Sequence, residues 1–102
     1  MRTLALLAAV ALAGAVVVPA HADPAFTVRT MHFDVVVGPA GDQHCDIVGD
    51  LYTPAVTPAP AILTTNGFGG SKDDQAGIAR FAAAHGYVVL SYSGLGFGGS
   101  GC

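Results

Sequence analysis

The sequence predicts an α/β fold, and three observations predict it. Two stretches, AILTT at Ala61–Thr65 and YVVLSYS at Tyr87–Ser93, are nearly continuous runs of apolar or small residues, the pattern of parallel strands covered on both faces. Between them lies a segment with helical periodicity. Each run is soon followed by the same pentapeptide, GFGGS, at Gly67–Ser71 and again at Gly96–Ser100.

At the N-terminus, Arg2 precedes the apolar run LALLAAVALAGAVVV, which is followed by Pro19 and then by Ala20-His21-Ala22, a small-x-small cleavage site. This predicts a signal peptide over residues 1–22, cleavage after Ala22 and a secreted chain whose residues 23–102 make one small domain at most. The apolar run is about 15 residues long, short of the roughly 20 that cross a bilayer, so no stable membrane anchor is expected after cleavage.

Beyond Ala22 the cations are Arg29, Lys72 and Arg80, set against seven aspartates. No basic patch for nucleic acid can be assembled from them. Two cysteines remain, Cys45 and Cys102, with no CxxC pair, so neither a metal site nor a cofactor is expected. After export one disulfide between them is the natural pairing; two free thiols, or bonds to cysteines elsewhere, are the alternatives.

The elements follow in order. FTVRTMHFDVVV at Phe26–Val37 alternates, with Met31, Phe33, Val35 and Val37 on one face of a strand. GPAGD at Gly38–Asp42 is turn chemistry. CDIVGDLYT at Cys45–Thr53 alternates again, Ile47 and Leu51 opposite Asp46 and Asp50, which predicts an antiparallel hairpin. The prolines of PAVTPAP at Pro54–Pro60 exclude a ladder and make this a loop. AILTT then opens a parallel unit. Ser71, with Asp74 three residues on, reads as a helix N-cap; Ile78, Phe81 and Ala82 read as the apolar stripe, and His85-Gly86 as the stop. The expectation is one βαβ crossover, which puts both GFGGS loops at the same sheet edge, where open α/β sheets bind ligands.

Several chemistries can be weighed on these residues. GLGFGG at Gly94–Gly99 matches GxGxxG after a strand, which suggests a dinucleotide site, but that fingerprint needs a helix opening at its third glycine. No serine sits in the GxSxG pattern of a nucleophile elbow; Ser71 and Ser100 follow Gly-Gly without the later glycine.

The order of DLYTP, a proline-rich link, AILTTNGFGGSKDD, a helix and HGYVVLSYSGLGFGGSG resembles the N-terminal part of secreted α/β-hydrolases, in particular Xaa-Pro dipeptidyl-peptidase-like and cocaine-esterase-like acyl hydrolases. The resemblance runs from about Val28 to Cys102. It implies that the fold is the N-terminal portion of an α/β-hydrolase, an antiparallel hairpin leading into a parallel βαβ unit. It implies further that Asn66, Gly67 and Phe68 form the oxyanion-hole loop, with the Phe68 main-chain N–H as a donor. The substrate would be a small-molecule ester or peptide, cleaved by a serine hydrolase. Asn66 stands where the family often has histidine, and Ser93 stands near a position that is usually acidic. Phe68 has no hydroxyl to hold an oxyanion, so only its amide can serve.

The same resemblance places the nucleophile, acid and histidine of the triad after Cys102, so none of the triad is present and the chain, read as truncated, is expected to be inactive alone. In the family topology the second strand lies antiparallel beside the fourth, which brings Cys45 near Cys102 and favours their disulfide. Two readings of other classes stand beside this one: a fragment of a dinucleotide-binding enzyme, and a small secreted non-catalytic domain.

Overall fold

The structure is a computed structural model that describes residues 25–102; the expected signal peptide at residues 1–22 lies outside them. The elements are β1 (Phe26–Val37), β2 (Gln43–Pro54), β3 (Ala61–Thr65), α1 (Ala76–Ala84) and β4 (Val88–Tyr92). The strands form one sheet in the order β1-β2-β4-β3.

β1 and β2 pair antiparallel without interruption, from Phe26 opposite Pro54 to Val37 opposite Gln43. The turn between them is closed by Gly41 N donating to Gly38 O at 3.0 Å. β4 lies antiparallel to β2, with Leu51 opposite Leu90, and parallel to β3, with Thr65 opposite Tyr92. The loops after β3 and β4 therefore leave the sheet at the same level.

Successive side chains in a strand point to opposite faces, so this register fixes what each face carries. Tyr52 and Val89 stand opposite one another on the face covered by α1, which packs on them through Ala79, Ala82 and Ala83, with Phe26 and Ile62 at the margin. Three alanines let the helix approach the sheet closely at little cost in side-chain entropy. The reverse face carries Ile47, Leu51, Leu90 and Leu63, and among the described residues no helix covers it; Leu63 keeps 66% of its surface in contact with solvent.

The expected fold class is corrected by these observations. The described residues are 44% strand and only 12% helix, a mixed four-stranded sheet with one short helix rather than the βαβ unit of an α/β-hydrolase. Most of the strand content lies in the long antiparallel hairpin. β3 and β4, read from sequence as covered on both faces, are only alternately buried.

The helix is shorter than expected for a local reason. Ser71 is not its N-cap: α1 begins at Ala76, after Gln75, and residues 72–75 form turns. Ser71 Oγ accepts from Asp73 N at 3.1 Å, and the Asp74 carboxylate turns back to the preceding loop, so the apparent capping pair is used in a turn instead. The expected apolar stripe is also displaced. Of Ile78, Phe81 and Ala82 only Ala82 is buried; Ile78 and Phe81 are exposed, and the Phe81 ring lies 4.3 Å from that of His85.

Candidate functional site

The two glycine-rich loops meet at the rim where β3 and β4 end. Asn66, the first residue after β3, ties them together: its Oδ1 accepts from Gly94 N at 2.7 Å, and its Nδ2 donates to Gly67 O at 2.6 Å. Thr65 Oγ1, at the end of β3, donates to Tyr92 O at 3.0 Å, fixing the two strand ends to each other. The Phe68 and Phe97 rings, at equivalent places in the two pentapeptides, meet edge to face with centroids 5.9 Å apart.

Asp74 organises the first loop. Its Oδ2 accepts from Gly67 N at 3.0 Å and its Oδ1 from Ser71 N at 3.3 Å, while Gly70 N donates to Gly67 O at 3.0 Å. Gly70 lies against this carboxylate so closely that a Cβ there would overlap it. The Phe68 N–H, between these anchored amides, donates to no acceptor among the described residues, and the Phe68 side chain is fully exposed.

Beneath the loops runs a buried polar network joining β2, β4, the second GFGGS copy and Lys72, the residue after the first copy. Lys72 N donates to Ser93 Oγ at 2.7 Å, and Ser91 Oγ donates to Lys72 O at 2.7 Å. Ser100 Oγ donates to Ser93 O at 2.7 Å and accepts from Val48 N at 3.0 Å. Lys72 Nζ reaches Asp50 Oδ2 at 2.8 Å, and Thr30 Oγ1 donates to Asp50 Oδ1 at 2.7 Å. Burial alone would push the Asp50 carboxyl up, but the hydrogen bonds from Lys72 and Thr30 and the Lys72 charge outweigh it and hold the group below its ordinary value. The hydrogen bond to Asp50 raises Lys72 above its own ordinary value, against the opposing effect of burial.

The structure places each sequence-predicted site residue. Asn66, Gly67 and Phe68 sit together on the loop after β3. Cys45 and Cys102 form a disulfide with Cα atoms 5.6 Å apart. Neither the Ser71 nor the Ser100 hydroxyl is hydrogen-bonded to a histidine among the described residues. GLGFGG opens no helix: Phe97 N donates to Gly94 O, Gly96 N to Gly101 O and Gly101 N to Asp46 O, so this loop folds back on β2. A dinucleotide pyrophosphate would find no helix N-terminus there.

Sequence reasoning missed the Asp50–Lys72 pair, the Ser91–Ser93–Ser100 network and the part played by Asp74. The adjacency of Lys72, Asp73 and Asp74 directly after a glycine loop was the one signal that pointed to them. The reading of Tyr87–Ser93 as a covered strand put Ser91 and Ser93 in the interior, but nothing in SYS pointed to their hydrogen-bond partners. Two histidine–aspartate pairs lie apart from the rim on the exposed hairpin, His32 Nδ1 to Asp46 Oδ2 at 2.7 Å and His44 Nδ1 to Asp34 Oδ2 at 2.9 Å. Among the described residues no group of three or more His, Cys, Asp or Glu is placed to hold a metal ion, and no helix is long and apolar enough to cross a membrane.

No family model matches the sequence, and no curated protein does. Among solved structures the chain is similar to the crystal structure of hypothetical protein PA2218 from Pseudomonas aeruginosa, at 26% identity and a TM-score of 0.58. That similarity covers 74% of this chain and 23% of the other, so the chain spans about a quarter of the length of the protein it resembles.

Proposed function

We propose that this chain supplies the oxyanion-binding loop of a secreted serine hydrolase acting on ester or peptide acyl bonds. The observation that carries the reading is the Phe68 N–H. It is a main-chain donor with no protein partner among the described residues, at the rim where two parallel strands end, and Gly67 before it is fixed by Asp74 and Asn66. A preorganised amide of this kind can stabilise the charge that develops on a carbonyl oxygen during acyl transfer, because it need not reorient as the charge forms. The Phe68 ring adds apolar surface beside that position.

In this reading the serine nucleophile and its histidine and acidic partners come from outside the 102 residues. A fluorophosphonate, which phosphonylates an activated serine, tests the reading on the exported gene product that carries this segment. Labelling of a serine outside residues 1–102 is expected. A gene product that takes no label, or takes it at Ser71 or Ser100, overturns the proposal.

A further inference from the structure

We propose that the Cys45–Cys102 disulfide is a redox control on the Phe68 loop, acting through the second GFGGS loop that lies between them. Its regulatory meaning rests on the hydrolase reading above; the structural coupling does not.

The coupling is a continuous set of contacts. Cys45, on β2, is buried with 3% of its surface exposed, whereas Cys102 is exposed at the end of the second loop. Beside the bond, Gly101 N donates to Asp46 O at 2.6 Å, and Gly101 O accepts from Gly96 N at 2.9 Å, so the position of Gly101 sets both ends of the loop. From there the loop reaches the first one at three points. Gly98 packs against Ser71, the Phe97 ring meets the Phe68 ring, and Gly94 N donates to Asn66 Oδ1.

Cys102 itself is held at φ 64°, the left-handed region that a residue with a Cβ occupies at a cost. Once freed from Cys45 it has reason to relax, and Gly101 and Gly96 follow through their shared hydrogen bond. The opposing tether is Ser100, whose hydroxyl bonds Ser93 O and Val48 N. That tether holds the stem of the loop, so the change passes from Gly101 through the Gly96 hydrogen bond to Phe97 and stops short of the sheet.

The chemistry is thiol–disulfide exchange with a dithiol reductant. One thiolate of the dithiol attacks the Sγ of Cys102, the more exposed of the two cysteines; the S–S bond breaks and Cys45 leaves as a thiolate that takes a proton. The second thiol of the dithiol then closes its own disulfide and expels Cys102, which is protonated in turn. Two electrons and two protons pass from the dithiol to the protein. Gln43 Nε2, 3.7 Å from Cys102 Sγ, is positioned to favour negative charge on that sulfur.

Amide hydrogen exchange, followed residue by residue in the 15N-labelled full chain before and after addition of dithiothreitol, tests the proposal. Reduction is expected to speed exchange about tenfold at Gly94–Gly101 and at Gly67–Gly70, with the β1–β2 ladder unchanged. Phe97→Ala, which removes one of the three contacts between the loops, is expected to keep the first effect and weaken the second. Cys45→Ala/Cys102→Ala is expected to reproduce the reduced pattern without dithiol. A change confined to Gly101 and Cys102, or loss of protection throughout the sheet, overturns the coupling. None of these readouts involves hydrolysis, so failure of the hydrolase reading, seen as an unlabelled gene product, is distinguishable from failure here.

Discussion

Gly98 of the second GFGGS copy lies directly against Ser71 of the first: a Cβ at position 98 would stand 2.8 Å from Ser71 Cα and 2.9 Å from Ser93 Oγ, closer than such atoms approach. Its φ of 39° is also in the left-handed region. Two copies of one pentapeptide thus interlock through the one residue type that fits.

Gly98→Ala is expected to destabilise the chain by about 2–3 kcal/mol, combining overpacking against a backbone with left-handed strain. Gly69→Ala is the matched control. Gly69 has φ 76°, and a methyl group added there would meet nothing within 4 Å, so strain acts alone and the cost should be about 1 kcal/mol. Urea unfolding of both variants checks the difference; equal losses would mean that the interlock contributes nothing.

Asp50 and Lys72 predict a stability that falls at both ends of the pH scale. Asp50 is held below the ordinary value of 3.8, so its contribution is complete above 3.8 and is lost as pH falls through the lower folded value. Lys72 is raised above 10.5, so its contribution is complete below 10.5 and is lost as pH rises through the higher folded value. Asp50→Asn should cost about 2 kcal/mol at neutral pH, because the half-buried ammonium loses its nearer and more buried carboxylate and keeps only the exposed Asp73, and should shrink the acid-side loss. Urea midpoints from acid to alkaline pH measure both effects.

The disulfide predicts a specific tryptic product. Cleavage after Arg29, Lys72 and Arg80 without reduction should yield residues 30–72 linked to the peptide that begins at Phe81 and contains Cys102, resolved into two peptides by a dithiol. Alkylation of Cys45 and Cys102 in the unreduced protein would contradict the bond.

Phe68 separates main-chain from side-chain effects in the proposed enzyme. Phe68→Pro removes the amide donor and should lower kcat by about a hundredfold or more in the gene product that carries this segment. Phe68→Ala keeps the donor, and its effect should fall mainly on KM. Equal kcat losses in the two variants would assign the role to the ring instead.

The sequence showed the strands clearly where local and tertiary preferences agree. Phe26–Val37 and Ala61–Thr65 have the same bounds in sequence and structure, because β-branched residues, alternation and flanking turn residues all favour the same outcome there. The start of the helix was not legible. Ser71 and Asp74 satisfy the spacing of a cap, yet the same two side chains serve the loop amides around them, and spacing alone cannot distinguish these uses. The stripe was misread because hydrophobicity ranks Ile78 and Phe81 above alanine, whereas close approach to Tyr52 and Val89 selects Ala79, Ala82 and Ala83.

The fold class was misjudged by giving the two short apolar strands more weight than the longer hairpin. For the rim, the repeated GFGGS pointed to two neighbouring loops but concealed how differently they are wired. Ser71 accepts from a following amide, whereas Ser100 bridges β2 and β4. The repeated word carries no single conformation.

The register of the β1–β2 hairpin also has a kinetic consequence. A five-residue turn closes a ladder of neighbouring segments, so its contacts are local and such hairpins form in about 1–10 μs. The rim contacts join residues much further apart in sequence, such as Val48 with Ser100, and their loop-closure entropy delays them until β4 has docked on β2. The hairpin is therefore expected in the folding nucleus, where substitutions slow folding, whereas substitutions in the rim loops speed unfolding and leave the folding rate nearly unchanged. The last part of the chain to assemble is the part that holds Phe68.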